Sequence, residues 1–172
     1  MSKLDEWKNT APNTLKIDWA AVEEKLGFAL HEELKSFYSR ITAKNVRGEI
    51  KYDAAELVKE YFNREDWLVG AHKDFPNCQF ELISLEKTDT DYVFGFFQEA
   101  FFGDWTGGND FGRRAFLGEL LINIGQISII FNNDTGRFEW VDFGWGYCDI
   151  YEDNPCGVLA DSADELLEKF HK

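Results

Sequence analysis

From Phe138 to Glu168 the sequence has no lysine and no arginine, while nine carboxylates fall in the same stretch. Basic residues are scarce well before it. Residues 1–87 hold 13 basic and 16 acidic side chains, a balance of −3, and residues 88–172 hold 5 and 16, a balance of −11, for a net charge of −14. Such a field repels nucleic acid and anionic membranes and attracts cationic partners. Cysteine is sparse too. Cys78, Cys148 and Cys156 form no CxxC pair, which argues against a disulfide scaffold and for reduced thiols. The three histidines, His31, His72 and His171, are scattered with no cysteine at ligand spacing, which excludes a zinc finger and a His-based catalytic centre. No apolar run reaches the length of a membrane helix, and residues 1–17 lack a signal peptide's apolar centre. A soluble cytoplasmic protein is expected.

Motifs for catalysis and cofactors are also missing. There is no Gly-x-Ser-x-Gly nucleophile elbow. Gly103 to Gly112 has the glycines of a phosphate cradle but no Gly-Lys-Ser/Thr ending, and its own Asp104 and Asp110 would repel phosphate. Asp89-Thr-Asp91 and Asn132-Asn-Asp134 suggest calcium. Without the distal Glu and flanking helices of an EF-hand they read as turns between strands. The sequence therefore predicts a non-enzymatic protein with no catalytic residues, no cofactor and no metal.

What is present is apolar and aromatic. With 172 residues, 44% apolar, 16 Phe and 6 Trp, the chain has material for one domain over residues 1–172 with a real core. Its last third carries the clearest pattern. Gln126 to Phe131 is a β-branched apolar run, Asn132-Asn-Asp-Thr-Gly136 is a turn, and Arg137 to Phe143 alternates as a strand with one wet face. An acidic aromatic loop is expected up to about Leu159. Ser162 and Glu165 then have capping-box spacing, and Leu159, Ala163, Leu166, Leu167 and Phe170 fall on one helical face.

Upstream, Asp18 suits an N-cap and Gly27 a stop for a helix between them, and Leu30 to Ile41 keeps helical spacing. Asn45 to Gly48 reads as a turn. Asp53-Ala-Ala-Glu56 reads as a cap leading a helical face through Phe62, and residues 63–77 read as loop. Gln79 to Leu85 and Tyr92 to Phe97 read as strands joined by the polar turn Glu86 to Asp91. Ala115 to Ile124 reads as a strand bent at Gly118. The order predicts an α+β fold: a mostly antiparallel sheet flanked by N-terminal helices and a C-terminal helix.

Phe143 to Asp153 is the stretch that stands out as a candidate site. It reads either as aromatic core with glycines for tight turns, or as an exposed patch of Trp145, Tyr147 and Tyr151 rimmed by Asp149, Glu152 and Asp153, with Asp142 beside it. Aromatic anchors within a charged rim are the anatomy of binding hot spots. Its carboxylates could also serve as a glycosidase-type acid and base, which keeps a carbohydrate-binding or carbohydrate-cleaving domain as an alternative.

Taken in order, these segments resemble the SUKH superfamily, which takes in bacterial Syd, fungal cell-wall assembly regulators and bacterial toxin-immunity proteins. Ile17 to Leu26 and Leu30 to Tyr38 resemble its opening helices. Asn123-Ile-Gly125, the strand to Phe131, the turn to Gly136 and the helix start Leu159-Ala-Asp-Ser162 resemble its most regular part. His31 stands where a proline is usual, and residues 45–115 have no counterpart. The resemblance implies an α+β domain without catalysis. It also implies a partner: bacterial members bind and neutralise a toxin, often a nuclease, while fungal-type members would be intracellular scaffolds or regulators.

Overall fold

The computed structural model describes residues 15–41, 46–51, 77–121, 127–143, 151, 154 and 156–171. Among them the chain forms four helices and one antiparallel sheet, an α+β architecture. The helices are α1 (Trp19–Leu26), α2 (Glu32–Arg40), α3 (Thr90–Phe102) and α4 (Ala163–Lys169). The strands are β1 (Val46–Lys51), β2 (Asn77–Leu82), β3 (Arg114–Leu121), β4 (Ile127–Asn132), β5 (Arg137–Asp142), β6 (Cys156–Ala160) and β7 (Phe170–His171). Spatial order is β6-β5-β4-β3-β2-β1-β7, a meander whose last strand returns to pair with the first. Among the described residues no helix is long and apolar enough to cross a membrane.

Local chemistry starts and stops the helices where expected. The Asp18 carboxylate accepts from Ala21 N at 3.1 Å, and Gly27, with φ of 79°, ends α1 in the left-handed conformation. At α2 the cap is His31, whose Nδ1 accepts from Glu33 N at 3.2 Å. The imidazole lies flat over Gly136 in the β4–β5 turn, where a Cβ would sit 2.3 Å from the ring. His31 N donates to Asn133 Oδ1, and Asn133 Nδ2 donates to Ala29 O, so this turn is stitched to the α1–α2 junction. At α4 Ser162 Oγ accepts from Glu165 N at 3.1 Å, while the Glu165 carboxylate accepts from Asp161 N at 2.9 Å rather than from Ser162 N. The expected capping box is present with its return bond displaced by one residue.

Four expectations are corrected. Tyr92 to Phe97 is not a strand but the middle of α3. Asp89 caps that helix by accepting from Tyr92 N, and Val93, Phe97, Ala100 and Phe101 bury one helical stripe. Aromatic residues suit both states, and the capped 3.6-residue period decides. Asn45 to Gly48 is not simply a turn, since Val46 opens β1, where cross-strand pairing with β2 and an Arg47–Glu81 ion pair at 2.9 Å hold it extended. The loop expected up to Leu159 contains β6, whose Val158 pairs with Glu139. Phe170 lies beyond α4 in β7, paired with Ile50. The sheet is accordingly wider than residues 79–143. The expected cap at Asp53, the helical face through Phe62 and all but the last residue of the loop expected over residues 63–77 lie outside the described residues, and that last residue, Asn77, opens β2. Cys156 is a reduced, half-buried thiol.

The sheet curls. Seven strands laid flat would put their outermost pair about 29 Å apart, at ~4.8 Å per step. The α4 helix that joins β6 to β7 has seven residues and spans only about 10 Å. Phe37 of α2 touches Phe138 on β5 at 5.2 Å and Phe170 on β7 at 6.4 Å, although four strands lie between those two strands. Register shifts at Phe116/Gly118 and Phe138/Glu139 supply the bend. At Gly118 a Cβ would meet Glu81 O at 2.1 Å, so only glycine lets β2 approach there. The concave side holds the main core, with Leu34, Phe37, Tyr38, Phe80, Phe97, Trp140 and Phe170 among its members.

Candidate partner-binding surface

Strand alternation sends Phe138 and Trp140 of β5 into the main core and Glu139 and Val141 to the opposite face. On that convex face a second aromatic cluster forms. Phe111, Ile130, Val141 and Tyr151 are buried there, with Trp105, Phe116, Phe143 and Cys156 against them. The loop after α3 delivers two of these rings. It starts as a short 3-10 turn, Asp104–Thr106, in which Thr106 Oγ1 donates to Gly103 O and Gly107 adopts φ of 59°. Asp110 then accepts from Gly112 N. The glycines and aspartates of this segment therefore do turn chemistry, as the sequence suggests, and lay Phe111 against Trp105 at 5.6 Å and Phe143 at 5.5 Å.

A charged group is embedded beside this cluster. Glu139 accepts from Arg114 Nε at 3.1 Å, from Asn132 Nδ2 at 3.1 Å and from the Tyr151 hydroxyl at 2.9 Å. Arg114 also donates to Phe111 O and lies over the Tyr151 ring at 4.1 Å. Burial, and then the adjacent Glu139 carboxylate, push the Tyr151 phenol well above its ordinary range. A phenol that stays protonated and a carboxylate holding three donors serve as tethers. They bind Tyr151 and the 103–112 loop to the sheet.

Of the two readings of residues 142–153, Tyr151 and Asp142 follow the buried, aromatic-core one. Tyr151 is buried, because its hydroxyl reaches inward to Glu139 and its ring packs on Phe111. Asp142 is buried as well, because alternation along β5 turns it to the helix side opposite Ile127. Neither can contact a partner directly. Trp145, Tyr147, Asp149, Glu152 and Asp153 lie outside the described residues.

The acidic stretch also looks different in space. Asp161 pairs with Arg137 at 2.9 Å, Glu165 with Lys169 at 2.9 Å, and Asp164 with Arg40. The Asp161 N–H, and then Lys169, hold the Glu165 carboxyl below its ordinary value. Arg40 and Arg114 from afar, and Arg137 and Lys169 from either end, pair four of the nine carboxylates of a stretch that has no cation of its own. Of the two calcium-like segments, Asn132 to Asp134 is a turn between strands as expected, with Asn132 Oδ1 accepting from Asp134 N and Thr135 N, whereas Asp89 to Asp91 is the cap and start of α3 and not a turn between strands. Among the described residues no group of three His, Cys, Asp or Glu side chains could hold a metal.

A surface that the sequence did not reveal lies where α3 and its following turn meet β3. Ile83, Phe96, Glu99, Ala100, Trp105 and Phe116 line a groove of about 340 Å³. Ile83 is 49% exposed, and Phe102, further along α3, is 59% exposed. Glu99 and Asp104 stand exposed beside these apolar groups. Among the described residues neither forms an ion pair. The available signal was Asp89 as a cap followed by Val93, Phe97, Ala100 and Phe101 at helical spacing. No family model, curated protein or solved structure matches this chain.

Proposed function

We propose that this chain is a non-enzymatic binding protein of the immunity type, acting in the cytoplasm, that neutralises a basic toxin domain, such as a nuclease, by direct binding. The observation that carries the reading is an acidic surface with large apolar side chains left in water. The net charge is −14, Glu99 lines the groove beside exposed Ile83, and Phe102 stands exposed further along the same helix. Opposite charge steers a cationic partner into encounter, and apolar anchors then hold it. The resemblance to the SUKH superfamily supports the same reading and supplies the class of partner. The carbohydrate alternative loses one of its ring platforms, since Tyr151 is buried against Phe111.

The test is neutralisation. A basic C-terminal domain encoded beside this chain's gene, expressed alone in a bacterial host, should arrest growth. Co-expression of this chain should restore growth, and the two should co-purify at one-to-one stoichiometry. Growth arrest that persists with both proteins present in soluble form would contradict the proposal. A partner that binds without being toxic would favour the scaffold or regulator function instead.

A further inference from the structure

We infer that the groove between α3, the 3-10 turn and β3 receives an apolar anchor side chain from a cationic peptide segment of the partner. This rests on the binding-protein reading above and goes beyond it by naming the seat and the chemistry of its occupant.

The walls are fixed before anything binds. The Trp105 indole N–H donates to Ala100 O at 2.8 Å, so the ring has no polar handle left and presents only apolar surface. The ring stacks with Phe116, which also lines the groove, at 6.1 Å. Phe96 is braced by Tyr38 and Phe97, each at 5.2 Å. The Ile83 backbone is clamped on both sides, with its N–H donating to Leu117 O at 2.9 Å and its carbonyl accepting from the Tyr38 hydroxyl at 3.2 Å. Tyr38 is itself fully buried, so the clamp is anchored in the main core. A groove held open by its own backbone and ring contacts loses little conformational entropy on binding, the usual requirement for an anchor pocket.

Charge selects the occupant. Glu99 lines the groove, and Asp104 belongs to the turn that carries Trp105. A second copy of this chain would bring its own charge of −14 against the same sign, so self-association through this face is opposed. An anionic ligand meets the same repulsion. A neutral apolar peptide would fill the groove but leave the Glu99 carboxylate partly desolvated without a counter-charge. A Leu, Ile, Phe or Met flanked closely by Lys or Arg satisfies both walls and rim.

The inference is tested with short synthetic peptides and protein carrying ¹⁵N-labelled tryptophan. Three sets are needed: Lys/Arg-flanked peptides centred on Leu or Phe, the same flanks centred on Ala, and Glu-flanked peptides centred on Leu or Phe. The Trp105 indole resonance is assigned by comparison with Trp105→Phe. Lys/Arg-flanked Leu or Phe peptides should shift that resonance saturably, and Ala-centred peptides should bind about tenfold or more weakly. Ile83→Ser, at an exposed position, should erase the preference for Leu over Ala. Glu99→Lys should weaken both cationic sets. Equal binding of Leu- and Ala-centred peptides, or binding that leaves Trp105 unmoved, would overturn the groove while leaving a cationic partner in place. Equal binding of Glu-flanked peptides would overturn the charge selection, and a shift that appears on raising protein concentration alone would make the occupant a second copy. Failure of every cationic peptide to bind at low salt would overturn the groove, and the reading it rests on would be sunk separately only by failed neutralisation in growing cells.

Discussion

Phe170→Ala should cost about 3–5 kcal/mol of stability, the range for removing a fully buried aromatic ring. Phe170 is 1% exposed and stacks on Phe80 of β2 at 4.1 Å and 22°. It also touches Phe37, the residue around which the sheet curls. Its backbone ends α4, donating to Leu166 O, and pairs with Ile50 to seat β7 beside β1. Alanine keeps the backbone bonds and deletes only the ring, so the loss reports packing. The ring is enclosed by α2, β2 and β1, three separate elements, and the cavity has little freedom to collapse. Urea unfolding monitored by tryptophan fluorescence gives the value, and a loss below about 1 kcal/mol would mean that the ring is not buried as described.

Glu139→Ala should cost about 3 kcal/mol, the low end of the ~3–5 kcal/mol that follows from removing one member of a buried ion pair. The low end applies because Arg114 and Glu139 retain 18% and 13% side-chain exposure, so some water reaches them. The loss goes beyond one salt bridge. Arg114, Asn132 and Tyr151 all lose their acceptor, and each desolvated donor left unmatched adds its own penalty. Glu139→Gln keeps an acceptor and should cost less. The paired replacement Arg114→Met with Glu139→Leu should recover only the Arg114 share of the loss, since it removes the unpaired guanidinium but leaves the Asn132 and Tyr151 donors unmatched. If Glu139→Ala is neutral, or if the paired replacement is worse than the single one, Glu139 is not the tether that holds Tyr151.

Signals confined to a few neighbouring residues were legible. The Asp18 cap, the Gly27 stop, the Asn132 to Gly136 turn and the Ser162 helix start each depend on a side chain meeting backbone within about four positions. The α+β class and the Gly118 bend were legible for the same reason. Features set by distant partners were not. Tyr92 to Phe97 is aromatic enough for a strand, and its capped helical period competes with that reading until Val93 and Phe97 pack into the main core. Val46 to Gly48 becomes a strand because β2 is there to pair with it.

Charge gave the sharpest lesson. The cation-free stretch from Phe138 to Glu168 suggested an open acidic face, yet four of its carboxylates are met by Arg40, Arg114 and the flanking Arg137 and Lys169. Conversely, Glu99 drew no attention in the sequence, and Asp104 drew it only as a group that would repel phosphate, because their apolar neighbours gather only when α3, β2 and β3 pack. Tyr151 was misplaced by the same limit. Nothing local to it announces that a Glu twelve residues earlier, on a strand, will take its proton bond.

The central claim is binding of a cationic protein through charge and apolar anchors together. The most direct measurement is the association rate between this chain and the basic domain encoded beside its gene, by surface plasmon resonance across ionic strengths from ~0.01 M to ~1 M. The Debye length falls from ~30 Å to ~3 Å over that range. The account predicts that the association rate falls steeply with salt while the dissociation rate, set by the buried anchors, changes little. An association rate indifferent to salt, or no complex at the lowest ionic strength, would contradict it.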